Sequence, residues 1–426
     1  MQAHTLQGKH CLLTAAYTCN KGKIIMERVF IVAAKRSAIG AFGGTLKDQA
    51  AGKIAAEVIK GALDAANING AQVDEVIVGN VVGAGQGMGV GRQASLWAGI
   101  PATVPAYSLN MVCGSGMKTV MDGVSHIRSG DAKVVVAAGV EIMSQIPFIV
   151  PSKVRDGQKM GNLTLTDLLI ADGLTDVYNQ CHMGVTAENI AKRLDISRQE
   201  QDEFALASQQ KAVAAIEMGK FEDEIVPLEI QQRKGTITFS TDEYPKANAS
   251  LDALASLRPA FDREGSVTAG NASGINDGAS AVILASESAL KAHNLIPLAE
   301  IVGYAQSGLE PEIMGLGPVE AVTKALAQAE LNLSDIAVFE LNEAFAAQAL
   351  GVVYQLAEKH QVEASDIIAK ANPNGGAIAL GHPLGASGNR ILVTLTHELK
   401  KQRGRYGVAS LCVGGGMGTA IVIKAM

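Results

Sequence analysis

The apolar positions of this chain follow two rhythms. Short, almost unbroken apolar runs, such as residues 28–34, 76–78, 134–140 and 406–413, alternate with stretches whose apolar residues recur three and four apart. Residues 51–66 show the second rhythm: Ala51, Ile54, Ala55, Val58, Ala62 and Ala65 share one helical face. No apolar run reaches 18 residues, so no membrane-spanning helix is expected. Apolar strands set between amphipathic helices predict sheets covered on both faces in an α/β fold.

The order of elements recurs. Helix 51–66, a turn and a strand over 73–78 are answered late in the chain by Pro318 in a helix first turn, a helix over 319–330, and turn plus strand over 333–339. Gly114-Ser115-Gly116 opens a helix that should end near Gly130, followed by a strand over 133–138 and Gly139. Gly385-Ala386-Ser387-Gly388 opens one that should end near Gly404, followed by a strand over 406–413 and Gly414. Residues 279–285 match 418–424 in the same way. These segments run on continuously in the second copy and are interrupted in the first. The pattern therefore predicts two similar halves, 26–144 plus 276–296 and 297–426, with an insertion at 145–275. Inside the insertion Ser197 and Glu200 form a capping box, and Gly219 suits the helix end. Residues 1–25 are polar, lack periodicity and hold Cys11 and Cys19. They read as an extension ahead of an alternative start at Met26.

Composition narrows the function. At 426 residues with 48% apolar and 18% charged, the chain can bury a large core and suggests more than one domain. The 46 glycines and 4% aromatics favour close approach of backbones. A net charge of −6 argues against a dedicated nucleic-acid binder. The five cysteines form no CxxC pair, which argues against a zinc ribbon or a disulfide framework and points to a reducing, cytoplasmic setting. Residues 83–89 fail the GxGxxG pattern, residues 414–418 leave no room for a βαβ unit, and GxxxxGK[ST] is missing, so nucleotide chemistry is disfavoured. Trp97, the only tryptophan, reads as packing.

Cys113 lies at a strand-to-helix junction, where free backbone N–H groups and partial positive charge should favour thiolate. A small buried hydrophobe is the plain alternative. His382 lies in a loop dense in glycine and proline, where it can activate a thiol or simply serve the loop. Cys412 precedes Gly414-Gly415-Gly416, whose N–H groups can form an oxyanion hole; a core cysteine beside a turn is the alternative. Asn342 follows a strand end, a position that commonly faces a site but also suits a helix cap.

Taken together, 112–118, His182-Met183-Gly184, 268–274, 342–346, Gly381-His382-Pro383 and 412–416 resemble the thiolase family, in order and spacing, from about Met26 to Met426. The resemblance implies two βαβαβαββ halves in a layered α-β-α-β-α core with a loop domain inserted in the first. It implies a reversible Claisen condensation of two acetyl-CoA to acetoacetyl-CoA and CoA. Cys113 would be the acylated nucleophile and His382 its base. Asn342 would hold a water in one oxyanion hole, and Cys412 would abstract the α-proton. The N–H groups of Cys113 and Gly414 would form the second hole. Leu174, His182, Met183, Phe261, Ser273, Ala344 and Phe345 would line the coenzyme A channel, Lys246 would contact its nucleotide end, and Met314 would shape a short acyl pocket. Lys246 stands where many relatives carry Arg, which keeps the charge and loses the planar fork. No metal or resident cofactor is implied, since coenzyme A thioesters are substrates. A homo-oligomer, dimer or tetramer, is expected. Broader-chain 3-ketoacyl-CoA thiolysis, non-catalytic acyl-CoA binding and a ketoacyl synthase are the competing readings. The second cysteine after the last strand argues against the synthase.

Overall fold

The computed structural model describes residues 27–426. The expected extension 1–25 and Met26 lie outside the described residues. The first half runs β1 (Val29–Arg36), α1 (Ala51–Ala66), β2 (Glu75–Gly79), α2 (Val90–Trp97), β3 (Ala106–Leu109), α3 (Ser115–Ser129) and β4 (Val134–Ile142). The inserted segment carries α4 (Met183–Arg193), α5 (Arg198–Glu217) and a hairpin of β5 (Leu228–Gln232) and β6 (Gly235–Phe239). β7 (Asn276–Ser286) returns to the first half. The second half runs β8 (Ala299–Gly308), α6 (Gly317–Gln328), β9 (Ile336–Leu341), α7 (Ala346–His360), α8 (Leu384–Lys401), β10 (Tyr406–Val413) and β11 (Met417–Ala425).

The repeat is visible in the pairing. β2 runs parallel to β4, β4 antiparallel to β7, and β7 antiparallel to β1. In the same order β9 runs parallel to β10, β10 antiparallel to β11, and β11 antiparallel to β8. Even the irregularity repeats: β1 slips register between Ile31 and Ala33, and β8 between Ile301 and Gly303. The halves meet where Phe30 pairs with Glu300 and Ile31 with Ala299. One strand has no full counterpart, since the place of β3 is taken by a single parallel bridge from Phe339 to Ala371.

Helix α1 covers β1, β4 and β7 from outside, and α6 covers β8, β10 and β11. Between the halves lie α3 and α8, packed on each other, with α8 touching β4 and β7 on one side and β9 and β10 on the other. This gives the α-β-α-β-α stack. Close approach of the central helices needs glycine. A Cβ on Gly116 would stand 2.8 Å from the Gly385 carbonyl oxygen, and one on Gly388 would stand 2.6 Å from the Met117 nitrogen. The apolar spacing read in 51–66 becomes a buried face with Ile54, Val58 and Ile59, each worth about 1.5–3 kcal/mol when fully buried.

The insertion is pinned to β1 by a buried ion cluster. Arg36 Nε donates to Glu224 at 2.6 Å, and its Nη1 and Nη2 donate to Asp242 at 2.7 and 3.0 Å. All three side chains are buried, so removing one partner would cost roughly 3–5 kcal/mol. The capping box of α5 forms as read, with Gly219 at φ 65° just past its end. Trp97 departs from its expected role in packing: it is 50% exposed and lies across α1 at Gly52, with the Lys53 ammonium 5.9 Å from its ring.

Candidate active site

The ends of α3, α8 and β10 converge on one cavity of about 340 Å³. Cys113 reaches it from the turn into α3. That turn is fixed locally: Asn110 Oδ1 accepts from Val112 N at 2.8 Å, and Ser115 Oγ accepts from Met111 N at 2.8 Å while donating to Val112 O at 2.7 Å. Val112 itself sits at φ 46°, a left-handed conformation that a β-branched residue rarely adopts. Cys113 is half-buried and opens on the cavity.

His382 reaches the cavity from the loop into α8, with 5% of its surface exposed. The Ser387 hydroxyl donates to Pro383 O at 2.9 Å, so it accepts from His382 Nδ1–H, 2.6 Å away. This assigns the tautomer and leaves Nε2 as a bare acceptor, buried and without a partner among the described residues. Burial, with the Arg390 charge behind it, pushes the imidazole down to about 4, so it is neutral near pH 7. Its backbone N–H donates to Asn276 Oδ1 at 3.0 Å, which fixes the loop.

Cys113 departs from the sequence expectation. Burial outweighs the helix N-terminus and pushes its thiol up to about 11, although the N–H groups of Gly414 and of Cys113 itself favour the thiolate; the Glu141 charge adds to the rise. The resting pair is therefore a neutral thiol beside a neutral imidazole. Cys412, 1% exposed at the end of β10, is pushed up further by burial and by Cys113. It lies in an apolar cluster with Met183, Met314 and Phe345.

Asn342 follows β9 and is 1% exposed, and among the described residues neither its Nδ2 nor its Oδ1 has a partner. A buried amide with both ends free is rare and suits a group that must bind something else. Next to it Glu343 accepts from Ser208 Oγ at 2.6 Å, Asn372 Nδ2 at 2.6 Å and Ile378 N at 3.3 Å, tying the Asn342 turn to the loop that leads to His382.

Most of the expected channel residues come together. Leu174, His182, Met183, Phe261, Ser273, Met314, Ala344 and Phe345 share the cavity wall with Cys113, His382 and Cys412. His182 stacks on Phe261 at 4.6 Å, and Phe261 meets Phe345 edge-on at 6.1 Å. His182 Nδ1 accepts from Gly184 N at 3.0 Å, which leaves Nε2–H free to donate; burial lowers its pKa and keeps it neutral. A Cβ on Gly184 would strike the Phe261 ring, so this glycine is needed for the stack. Ser273 N donates to Ala344 O at 2.9 Å, joining the two wall segments.

Asn342, Gly414 and Lys246 stand outside the wall. Gly414 turns its N–H toward the Cys113 sulfur. Lys246 is exposed, with its ammonium 5.5 Å over the ring of Tyr244, which does line the cavity. Tyr244 and Met143 were missed by sequence reasoning, as each sits outside any glycine-rich or cysteine-bearing segment. Among the described residues no His, Cys, Asp and Glu cluster could hold a metal ion, and no helix is long and apolar enough to cross a membrane.

Comparison with known proteins agrees with this geometry. Residues 29–288 match the family described as "Thiolase, N-terminal domain", and residues 295–425 match "Thiolase, C-terminal domain". The chain is 52% identical over 400 residues to an acetyl-CoA acetyltransferase of Cupriavidus necator, covering 94% of this chain and 100% of that one. Its fold superimposes on human mitochondrial 3-ketoacyl-CoA thiolase in complex with CoA at a TM-score of 0.88 and 46% identity, covering 94% and 98% of the two chains. For the acetyl-CoA acetyltransferase of Bacillus anthracis the values are 0.89 and 43%, covering 94% and 99%. The chain belongs to the thiolase family.

Proposed function

We propose that this thiolase is an acyltransferase that interconverts two acetyl-CoA with acetoacetyl-CoA and CoA through an acetyl thioester on Cys113. The observation that carries the reading is the facing of a neutral, tautomer-fixed imidazole, a thiol and a second thiol on one cavity. His382 Nε2 takes the Cys113 proton as sulfur attacks the thioester carbonyl. The carbon–sulfur bond to coenzyme A breaks, and Cys412 gives its proton to the departing thiolate. Cys412 is then a thiolate whose raised proton affinity suits removal of a weakly acidic α-proton from the second acetyl-CoA. The enolate carbon attacks the acetyl group, Cys113 leaves as thiolate, and the His382 imidazolium returns its proton. Every proton is restored at the end of the cycle.

The charge that develops on oxygen needs donors. A water held by Asn342, with His382 Nε2–H, serves the enolate oxygen of the second acetyl-CoA; the N–H groups of Cys113 and Gly414 serve the acyl oxygen on Cys113. Each such donor is typically worth about 10²–10³ in rate. Coenzyme A passes along Leu174, Met183, Phe261 and Phe345, with His182 Nε2–H and Ser273 as polar contacts. Met314, buried at the cavity wall, favours a short acyl group. A cytoplasmic, reducing setting is part of the reading, supported by the free thiols of Cys113, Cys181 and Cys412. So is a homo-oligomer, dimer or tetramer, supported by the exposed Phe148, Ile149, Leu163 and Leu165 of the inserted segment.

The test is thiolysis of acetoacetyl-CoA by CoA, measured as acetyl-CoA formed, beside Cys113→Ala. Turnover lost in the variant is the expected result. Strong preference for 3-ketoacyl chains of eight carbons or more would replace this reading with broad-chain thiolysis. Turnover surviving in the variant would remove Cys113 as the nucleophile.

A further inference from the structure

Two buried ionisable groups near the site are left unused by this chemistry. Arg390 lies on α8, one turn beyond Ser387, and is 2% exposed; Glu340 lies on β9, two residues before Asn342, and is 0% exposed. Their closest approach is 3.5 Å, from Arg390 Nη1 to Glu340 Oε2. Among the described residues neither side chain has a hydrogen bond: Nε, Nη1 and Nη2 of Arg390 and both carboxylate oxygens of Glu340 are unpartnered. The contrast with Arg36 is sharp, since each nitrogen of that buried guanidinium donates to Glu224, Asp242 or the Ser37 carbonyl. A buried pair so loosely satisfied is poor as a source of stability, and apolar residues of the same volume would serve stability as well or better. Its position suggests another use. Arg390 shares a helix with the tautomer-setting Ser387, and Glu340 shares a strand with the residue run that ends at Asn342.

We propose that Arg390 is a positioning residue for acyl transfer, holding through Glu340 the helix that follows His382 against the strand that ends at Asn342. The proposal rests on the roles given above to His382 and Asn342. The pair spans the two elements whose donors must meet at one substrate oxygen, and a misplacement of 1 Å there costs on the order of 10² in rate. Its second effect is electrostatic. Burial is the main cause that keeps His382 neutral, and the Arg390 cation facing it adds to this by disfavouring imidazolium. Arg390 is in turn faced by Glu340 and Glu343 from β9 and the turn after it, by Glu224 from the insertion and by Arg36 from β1. Burial pushes the Glu340 carboxyl up to about 8 against the pull of Arg390, and Glu224, Glu343 and Glu398 of α8 add to the rise.

The experiment compares Arg390→Lys, Arg390→Met and the double change Arg390→Met with Glu340→Met, each checked for folding by thermal melting. The apolar double variant leaves no uncompensated buried charge, so it keeps a folded protein in hand if a single change does not. Expected is a kcat lowered about 10-fold to 100-fold in both Met variants, with KM for acetoacetyl-CoA within about twofold. Removing the cation relieves part of the penalty on the imidazolium while burial, the larger cause, remains, so His382 protonates at higher pH than in the unmodified enzyme. The acid limb of the kcat/KM profile should then lie at higher pH in the double Met variant than in the unmodified enzyme and Arg390→Lys. That variant lacks Glu340, which burial pushes up to about 8 in the unmodified enzyme, so its limb reports His382 without that second group. A folded double variant with unchanged kcat and an unshifted profile overturns the proposal. His382→Asn, run alongside, separates the two failures. If it retains turnover the site reading itself is wrong; if it loses turnover while the Arg390 variants do not, only the positioning role falls.

Discussion

Just ahead of α3 the chain turns through Val112 at φ 46° and leaves Cys113 half-buried beside the cavity. At the corresponding point ahead of α8 it turns through Gly381 at φ 105° and leaves His382 almost wholly out of solvent. The helices are counterparts in the repeat and pack on each other, so their N-terminal ends face one another. Duplication therefore supplied the convergence of the two residues, and local divergence supplied their chemistry. The first turn is open enough for a substrate to reach sulfur. The second is closed tightly enough that Ser387 sets the tautomer and burial removes the charge. This fits the roles proposed for Cys113 and His382, since a nucleophile needs access whereas a base needs orientation and neutrality.

The proposed pairing of an open nucleophile, Cys113, with a closed base, His382, is most exposed to test at His382. His382→Asn leaves the loop's shape nearly unchanged but removes the proton acceptor. Thiolysis should fall by about 10²–10⁴, the usual contribution of a general base. A fall smaller than tenfold would mean that Cys113 is not activated across the helix pair.

The charge states give a second test, read directly from the nucleophile. An ion pair of thiolate and imidazolium would alkylate at a rate already level near neutral pH. Here burial pushes the Cys113 thiol up to about 11, so its thiolate fraction is small at neutral pH. Alkylation of Cys113 by iodoacetamide should rise about tenfold per pH unit from pH 7 to pH 9, since the group titrates well above that window. A plateau beginning below pH 7.5 would restore the ion pair that the helix N-terminus alone suggests.

These tests also mark what was legible in the sequence. The halves, the insertion and the starts of α3 and α8 could be read because apolar runs and glycines punctuate them at matching intervals. Cys113, His382, Cys412 and Asn342 stood out because each adjoins such a boundary, and the family resemblance gave them roles. The protonation states were not legible. They depend on how much of the chain closes over the site, a long-range property that overrode the local expectation at Cys113. Tyr244 and the Arg390–Glu340 pair were hidden for the same reason: nothing in their immediate sequence records what lies across from them. Lys246, expected at the nucleotide end of coenzyme A, lies exposed beside Tyr244 and outside the cavity wall.

The tautomer lock predicts a smaller effect. Ser387→Ala removes the acceptor for His382 Nδ1–H, so the ring can turn or take the other tautomer. We expect kcat to fall about 10–100-fold, the size of loss seen when the hydrogen bond that orients a metal-ligating histidine is removed. The melting temperature should move by only a few degrees. Equal kcat would mean that the loop from Gly381 to Pro383 orients the ring without Ser387.

The smallest effect concerns the strained turn, and it bears most directly on why the two helix starts differ. At Gly381 the fold leaves no choice, because a Cβ would strike the Asn276 side chain that accepts the His382 N–H. At Val112 there is room, and the side chain is used: it lines the cavity beside Cys113 and faces Gly414. The left-handed backbone costs roughly 1–2 kcal/mol for a residue with a Cβ. Val112→Gly should recover part of that strain and lose part of it again to the greater freedom of the unfolded chain, leaving the melting temperature nearly unchanged. It would also remove the wall that holds the Cys113 turn against Gly414. Thiolysis should therefore slow by only a few fold, with the rate of Cys113 alkylation rising as the sulfur becomes more open. If activity instead held constant while stability rose by about 1 kcal/mol, Val112 would be strain without use, and the asymmetry between the starts of α3 and α8 would lie in the side chains of Cys113 and His382 alone.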